Sequence, residues 1–399
     1  MHLLYVVQRY GADVPGGAEA HCRAFASRMA ARGHHVEVVT TCARSHIDWA
    51  NTYPAGTDTD DGVVVHRLPT ARPKDRRVFE PLNVRALRGP KPVPWALQRA
   101  WMQAQGPDVP ELAPWLRAHA PRFDVVIFFT YLYATTTGGL PHAAARRPTV
   151  LHPTAHEEPP MALAAFNTVF RHPWAFAFST PEEQALVERR FHVRRPSAVI
   201  GVGVDLDAVG DGAAFRRRYG LGERPYLVFL GRFEAGKGSD QLLDFFRAYR
   251  RRRQGDLALV VVGERYRDLD PGPDVVATGL VDDQTKHDAL AGALALAQPS
   301  FFESFSMVLT EAWAQRRPAL VQGRNEVLVG QAHRAGGAVP YTTYAEFEVA
   351  LDRLRADAAL ADRLGAAGRA YVEREYHWDV VMGRYEAHLG AVAALAPRR

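Results

Sequence analysis

The stretch Tyr226-Leu227-Val228-Phe229-Leu230-Gly231-Arg232-Phe233-Glu234-Ala235-Gly236-Lys237-Gly238 reads as a buried strand running into a glycine-bearing turn, with a helix predicted to follow over residues 239–250. Five consecutive apolar residues bounded by glycine suit a strand covered on both faces. A glycine turn lets backbone approach a phosphate closely, and the next helix offers free N–H groups at its N-terminus. Arg232 and Lys237 add two fixed positive charges, so the assembly suits a diphosphate. It is not a Walker loop, because Gly238 rather than Ser or Thr follows Lys237.

Downstream the alternation continues. Strands are expected at 257–262, 275–277, 293–297 and 319–321, and helices at 284–290 and 307–314, the pattern of a parallel sheet covered by helices. Upstream, residues 3–7 form a short apolar run. Ala18, Cys22, Phe25 and Met29 recur at helical spacing, Gly33 is placed to end that helix, and residues 36–39 resume an extended pattern. Further buried strands are expected at 124–130, 149–152 and 175–179. The fold class predicted is therefore α/β, with two Rossmann-like doubly wound domains facing across a cleft and ligands at the carboxyl ends of the strands. The expected boundaries are 1–203 and 204–376, with a C-terminal helix over 377–399 packing back on the first domain. Residues 67–115, rich in Pro, Arg and Trp, are too long for an ordinary connection and are read as a functional loop, a set of short helices or a surface insertion without a role.

A second motif lies at Pro299-Ser300-Phe301-Phe302-Glu303-Ser304-Phe305-Ser306-Met307-Val308-Leu309-Thr310-Glu311-Ala312. Glu303 is expected in the loop after a strand and Glu311 about one turn into the following helix. Carboxylates accept paired hydrogen bonds from vicinal hydroxyls, so one acid suits a sugar and the other a ribose. The backbone N–H groups from Phe305 through Met307 to Val308 lie between them for the phosphates. Either motif alone has an ordinary structural explanation; both in the same half, each after a strand, point to a nucleotide-sugar site. The acidic run Asp58-Thr59-Asp60-Asp61 before Gly62, and Asp268-Leu269-Asp270 before Pro271, contain D-x-D but read as solvated turns, so no metal site is expected.

On these residues the chain resembles the family 4 glycosyltransferases of the GT-B fold, from the Pro15-Gly16-Gly17-Ala18-Glu19 turn through both motifs to Trp378. The resemblance implies retaining, metal-independent transfer of a sugar from a nucleotide-diphosphate sugar to an acceptor hydroxyl. It implies that Arg232 and Lys237 hold the donor diphosphate, that Glu303 meets the donor sugar, and that Glu311 meets the ribose. Gly16, Gly17 and Gly231 join that donor-binding set. It also implies a role for a histidine after a middle strand of the first domain, which His156 in Pro153-Thr154-Ala155-His156-Glu157-Glu158-Pro159-Pro160 matches. His156, Glu303, Arg232 and Lys237 are thus the expected catalytic residues. The base is expected on backbone near Gly263 and Val281, and the acceptor near Trp95, Tyr131 and Glu157. Two departures stand out: Ser304 and Ser306 flank Phe305 where the family commonly has glycine, and Gly323-Arg324-Asn325-Glu326 replaces a Gly-Gly-x-Pro-Glu turn. The finer pattern resembles transferases that build bacterial surface polysaccharides. An epimerase or phosphorylase of the same fold, or a catalytically silent nucleotide-sugar-binding subunit, remain as alternative readings.

Composition sets the outer limits. At 399 residues, 47% hydrophobic and 23% charged, the chain suits an ordinary globular protein of two domains. The net charge of +5 comes from arginine spread among acids, with only four lysines (Lys74, Lys91, Lys237 and Lys286), and no nucleic-acid motif accompanies it. The exception is 67–99, where nine basic residues face only Asp75 and Glu80, a patch suited to an anionic acceptor or membrane surface. Two cysteines exclude a disulfide scaffold. With no secretory signal and no run of about 18 apolar residues, the expectation is a cytoplasmic protein with peripheral contact at the inner membrane face. Its partners would be a nucleotide-sugar donor and a saccharide, lipid-linked or small-molecule acceptor, with no cofactor beyond the co-substrate.

Overall fold

A computed structural model describes residues 1–253, 255–264 and 272–396. Two compact units emerge: Met1–Gly201 together with Met382–Arg399, and Val202–Val381. The D-x-D at 268–270 lies outside the described residues.

The first unit is built on eight strands: β1 His2–Val6, β2 His35–Thr41, β3 Gly56–Asp60, β4 Val63–Leu68, β5 Val125–Phe129, β6 Thr149–His152, β7 Ala175–Phe178 and β8 Ser197–Val199. Their order is β3-β4-β2-β1-β5-β6-β7-β8. Every pairing is parallel except β3 with β4. β5 is buried at all five positions, as expected of a central parallel strand whose two faces both meet helices. The acidic run at 58–61 is not a simple solvated turn. Thr57 to Asp60 pair with β4, and only Asp61 and Gly62, at φ 52° and 78°, form the reversal. Two successive residues at positive φ match the right-handed twist of a hairpin, and Asp60 is further tied down by Arg23 at 2.8 Å.

The Pro- and Trp-rich segment forms helices Arg76–Arg88, Trp95–Gln105 and Leu112–His119. Trp101, Leu112 and Leu116 enter the core of this unit. Residues from Met382 onward complete the same unit: Tyr385 packs its ring 4.7 Å from that of Phe25, and its hydroxyl lies 3.2 Å from His152 Nε2.

The second unit carries β9 Tyr226–Leu230, β10 Ala258–Val262, β11 Val275–Gly279, β12 Ala295–Gln298, β13 Ala319–Gln322 and β14 Ala338–Tyr341. All pair in parallel, in the order β11-β10-β9-β12-β13-β14. The chain winds outward in one direction from β9 and returns to start again at β12, so the order reverses between these two adjacent strands. Ligands of doubly wound sheets bind at the carboxyl ends of the strands at such a reversal. Leu227, Phe229, Leu259 and Val261 anchor the core on one face with Phe246 and Phe347. Truncating a fully buried leucine such as Leu227 costs about 2–5 kcal/mol.

Candidate donor-binding site

Both motifs leave the sheet at its reversal point. After β9, Gly231 adopts φ 137° and donates its N–H to the Val262 carbonyl at 3.0 Å, while Gly263, at φ 135°, donates to Gly279 at 2.9 Å. A Cβ on Gly263 would run into the Gly231 carbonyl. These two turns, which carry the expected phosphate and base contacts, therefore pack backbone against backbone. Gly238 caps the helix Ser239–Arg252 at φ 68°, and a Cβ there would strike the carbonyl of Pro299 in the loop after β12. That close approach holds the glycine motif against the Glu303 loop.

The side chains meet at the same place. Lys237 Nζ lies 2.7 Å from Glu303 Oε1, with side-chain exposures of 31% and 11%. Arg232 pairs with Glu234 at 3.1 Å. Gln298, the last residue of β12, donates from Nε2 to Ser306 Oγ at 2.7 Å and reaches Glu303 Oε1 at 3.5 Å. Ser306 precedes the helix Met307–Ala314 at φ 73° and ψ 79°, a left-handed conformation that costs a residue with a Cβ about 1–2 kcal/mol. This explains physically why glycine suits the position. Met307 and Val308 begin the helix, so their N–H groups belong to the first turn, which lacks intrahelical acceptors. Phe305 does not line a ligand surface with its ring. It is 4% exposed, sits edge-on to Tyr376 at 4.9 Å, and its carbonyl accepts from Gln331 at 3.3 Å; its backbone alone is left for donor contact.

Glu311 lies one turn into the helix, where Lys286 Nζ stands 2.8 Å from its Oε1. Burial opposes the charge on Lys286, but Glu311 and then Asp283 outweigh it and hold the ammonium above its usual range. Sequence reasoning missed Lys286. The available signal was a lysine in an arginine-rich chain, on the helix between the two motifs. Val281 is half-buried after β11, beside the exposed Leu280.

In the first unit, Gly16 and Gly17 sit where the helix Gly17–Ala31 begins. Beside them a buried cluster fixes the ends of β1 and β5. Arg9 Nη2 meets Glu19 Oε1 at 2.6 Å, Gln8 donates to the same oxygen at 2.7 Å, and Thr130 donates to Gln8 at 3.1 Å. A Cβ on Gly16 would collide with the Glu19 carboxylate. His156 lies in the loop after β6, half-buried, with Glu157 exposed beside it. That loop is tethered from below. Glu183, 1% exposed, accepts the N–H of Ala155 through Oε1 and that of Ser179 through Oε2, each at 2.6 Å. Burial raises the Glu183 carboxyl to about 7 in spite of these bonds.

Tyr131 must be corrected as an acceptor-stacking residue. It is 1% exposed, its ring is packed among Phe166 and Phe170, and its hydroxyl donates to Glu158 at 2.7 Å. A tyrosine directly after a central strand is drawn into the core, and its polar end finds a buried acceptor. Trp95 remains accessible at 57% exposure.

The sequence model for Glycosyltransferase Family 4 matches residues 15–208, and that for Glycosyl transferases group 1 matches residues 224–357. The chain belongs to the family 4 glycosyltransferases. Among solved structures, sucrose-phosphate synthase from Thermosynechococcus elongatus superposes with a TM-score of 0.73 at 17% identity, covering 98% of this chain and 100% of that one. HepE of Anabaena, solved with UDP and glucose, gives 0.69 at 14% identity over 99% and 100% of the two chains. The fold of this family 4 chain is accordingly GT-B. A GDP-mannose-dependent alpha-(1-6)-phosphatidylinositol monomannoside mannosyltransferase from Mycobacterium tuberculosis is 31% identical over 207 residues, 46% of this chain and 52% of that protein. Alpha-D-kanosaminyltransferase from Streptomyces kanamyceticus is 29% identical over 172 residues, 40% and 44% of the two. The chain spans about half the length of the curated relatives it matches. Among the described residues, no helix is long and apolar enough to cross a membrane.

Proposed function

We propose that the chain transfers a hexosyl group from a nucleotide-diphosphate sugar to an acceptor hydroxyl, with retention at the anomeric carbon and without a metal ion. The observation that carries this reading is the meeting of the two motifs at the β9/β12 reversal, with Lys237 on Glu303 at 2.7 Å. Breaking the bond from the anomeric carbon to the diphosphate oxygen develops negative charge on the leaving group and positive charge on the sugar. Arg232, Lys237 and the first turn of the Met307 helix supply fixed positive potential for the former, the task that a divalent ion performs elsewhere. Glu303 is the hydroxyl acceptor for the sugar. The new bond from the acceptor oxygen forms on the face the diphosphate leaves, and a leaving phosphate oxygen takes the acceptor proton, so no protein nucleophile is needed. His156, on a loop of the first unit tethered by Glu183, is the histidine to which the family resemblance assigns a role in the transfer.

The named substrates of the relatives support a nucleotide-sugar donor. The acceptor class is a saccharide, lipid-linked saccharide or small molecule. The basic helix Arg76–Arg88, with Val78 and Val84 each 52% exposed, supports peripheral contact at an anionic cytoplasmic membrane face.

The test is a thermal-shift and calorimetric screen against UDP, GDP, dTDP, ADP and CDP and their common sugar conjugates, in EDTA. A ligand at 100 times its Kd stabilises the folded state by about 2.7 kcal/mol. One responsive nucleotide, with the response lost in Lys237→Ala, supports the donor site. Sugar release only when an acceptor is present then separates a transferase from an epimerase or a silent subunit. No response to any conjugate refutes the reading.

A further inference from the structure

The donor-site reading leaves one polar arrangement unused. Lys286 projects from the helix Asp283–Ala291 and its ammonium bridges Glu311 Oε1 at 2.8 Å and Asp283 Oδ1 at 3.0 Å. The side-chain exposures are 23% for Lys286, 16% for Glu311 and 88% for Asp283, so the enclosed partnership is with Glu311. Among the described residues no other side chain bonds the Glu311 carboxylate.

Two physical consequences follow. The terminal torsion of glutamate is broad, and a diol on adjacent carbons is gripped only by a carboxylate whose plane is set to receive both hydroxyls. Lys286 occupies one lone-pair direction of Oε1 and so fixes that plane, leaving Oε2 and the far side of Oε1 to accept. The ammonium at 2.8 Å also offsets the loss of water around a carboxylate side chain that is only 16% exposed. A lysine held this way gives up most of its rotamer freedom, a cost that an exposed solubilising lysine does not bear.

We propose that Lys286 is a positioning residue that presents Glu311 to the 2′- and 3′-hydroxyls of the donor ribose, making the site selective for ribonucleoside over 2′-deoxyribonucleoside diphosphates. This rests on the donor-site reading and adds to it the residue that sets nucleotide sugar selectivity.

The experiment is isothermal titration of the full chain with the ribo and 2′-deoxy forms of UDP, GDP, ADP and CDP. For the responsive base, the wild type is expected to bind the ribo form tighter by about tenfold or more, the worth of a hydrogen bond to a charged acceptor. Lys286→Met is expected to bring the two forms within about threefold of each other, mainly by weakening the ribo form. Lys286→Arg retains the preference. Lys286→Gln, which keeps a donor without the charge, serves where the methionine variant melts early. A mere loss of stability lowers both affinities together and leaves their ratio alone. An unchanged ratio in Lys286→Met or Lys286→Gln overturns the inference, as does a wild type that binds both forms equally, and either result leaves the donor site standing. A wild type that binds none of these forms, nor dTDP, overturns the donor-site reading and the inference with it.

Discussion

Acid should weaken the first unit through His21, and the size of the effect follows from its surroundings. The imidazole is 3% exposed and stands edge-on to Phe25 at 4.6 Å, Phe129 at 5.0 Å and His152 at 5.4 Å. Burial lowers its pKa from 6.5 to about 3. The folded state thus keeps His21 neutral while the unfolded chain protonates near 6.5. The neutral-state preference costs nothing above that pH, and stability is lost progressively as pH falls below it. Near pH 5 the loss is about 2 kcal/mol, taken as 1.5 units at about 1.36 kcal/mol each. His152, lowered by burial and by neighbouring His21 and His388, acts in the same direction. Glu183 opposes them. Its carboxyl, raised to about 7, is protonated in the fold while the unfolded chain remains ionised down to its ordinary 4.5, so its contribution grows more favourable as pH falls through 7. The wild-type profile alone is therefore flattened, and the decisive quantity is the difference between wild type and His21→Phe, which keeps an aromatic ring but no titrating nitrogen. Calorimetric melts near pH 7.5 and near pH 5 should show the variant gaining about 2 kcal/mol on the wild type, or about 4–8 °C in the transition of this unit. The same offset at both pH values refutes the argument.

Three further outcomes are expected. Gly238→Ala places a Cβ at φ 68° and against the Pro299 carbonyl; it should lose at least about 1–2 kcal/mol from the backbone conformation alone and weaken nucleotide diphosphate binding, as melting and titration calorimetry will report. Ser306→Gly relieves a similar backbone cost but removes the 2.7 Å bond from Gln298, a bond worth about 0.5–1.5 kcal/mol. Its melting curve should nearly overlay the wild type, while the preference among donor sugars shifts in a competition assay. Replacing Arg76, Arg77, Arg85 and Arg88 together by Gln should abolish co-sedimentation with vesicles rich in phosphatidylglycerol, at about 1 kcal/mol per residue, with the melting temperature little changed.

The doubly wound architecture was legible because both units are built on apolar runs such as 124–130 and 226–230, whose burial needs no partner identity to be inferred. The glycine motif and the two glutamates were legible for a related reason, since a turn after a strand dictates where backbone and charge must lie. What escaped was set by long-range packing. The strand Gly56–Asp60 was hidden because an acidic edge strand has the composition of a turn, and only its pairing with Val63–Leu68 stabilises it. Tyr131 looked available because an aromatic after a strand carries no sign that Phe166 and Phe170 pack against its ring. Lys286 meets Glu311 25 residues away and Glu183 meets the Ala155 N–H 28 residues away, and no local spacing announces either contact.

The first unit is interrupted in the chain: its sheet ends at β8, yet the residues that cover Phe25 and His152 come only after Met382. Synthesis proceeds from the N-terminus at about 5–20 residues per second, so the whole of Val202–Val381 must leave the ribosome before that face can close. Until then Phe25 and His152 lack the Tyr385 ring that covers them in the finished unit, and the face they form stays open to water or to a chaperone.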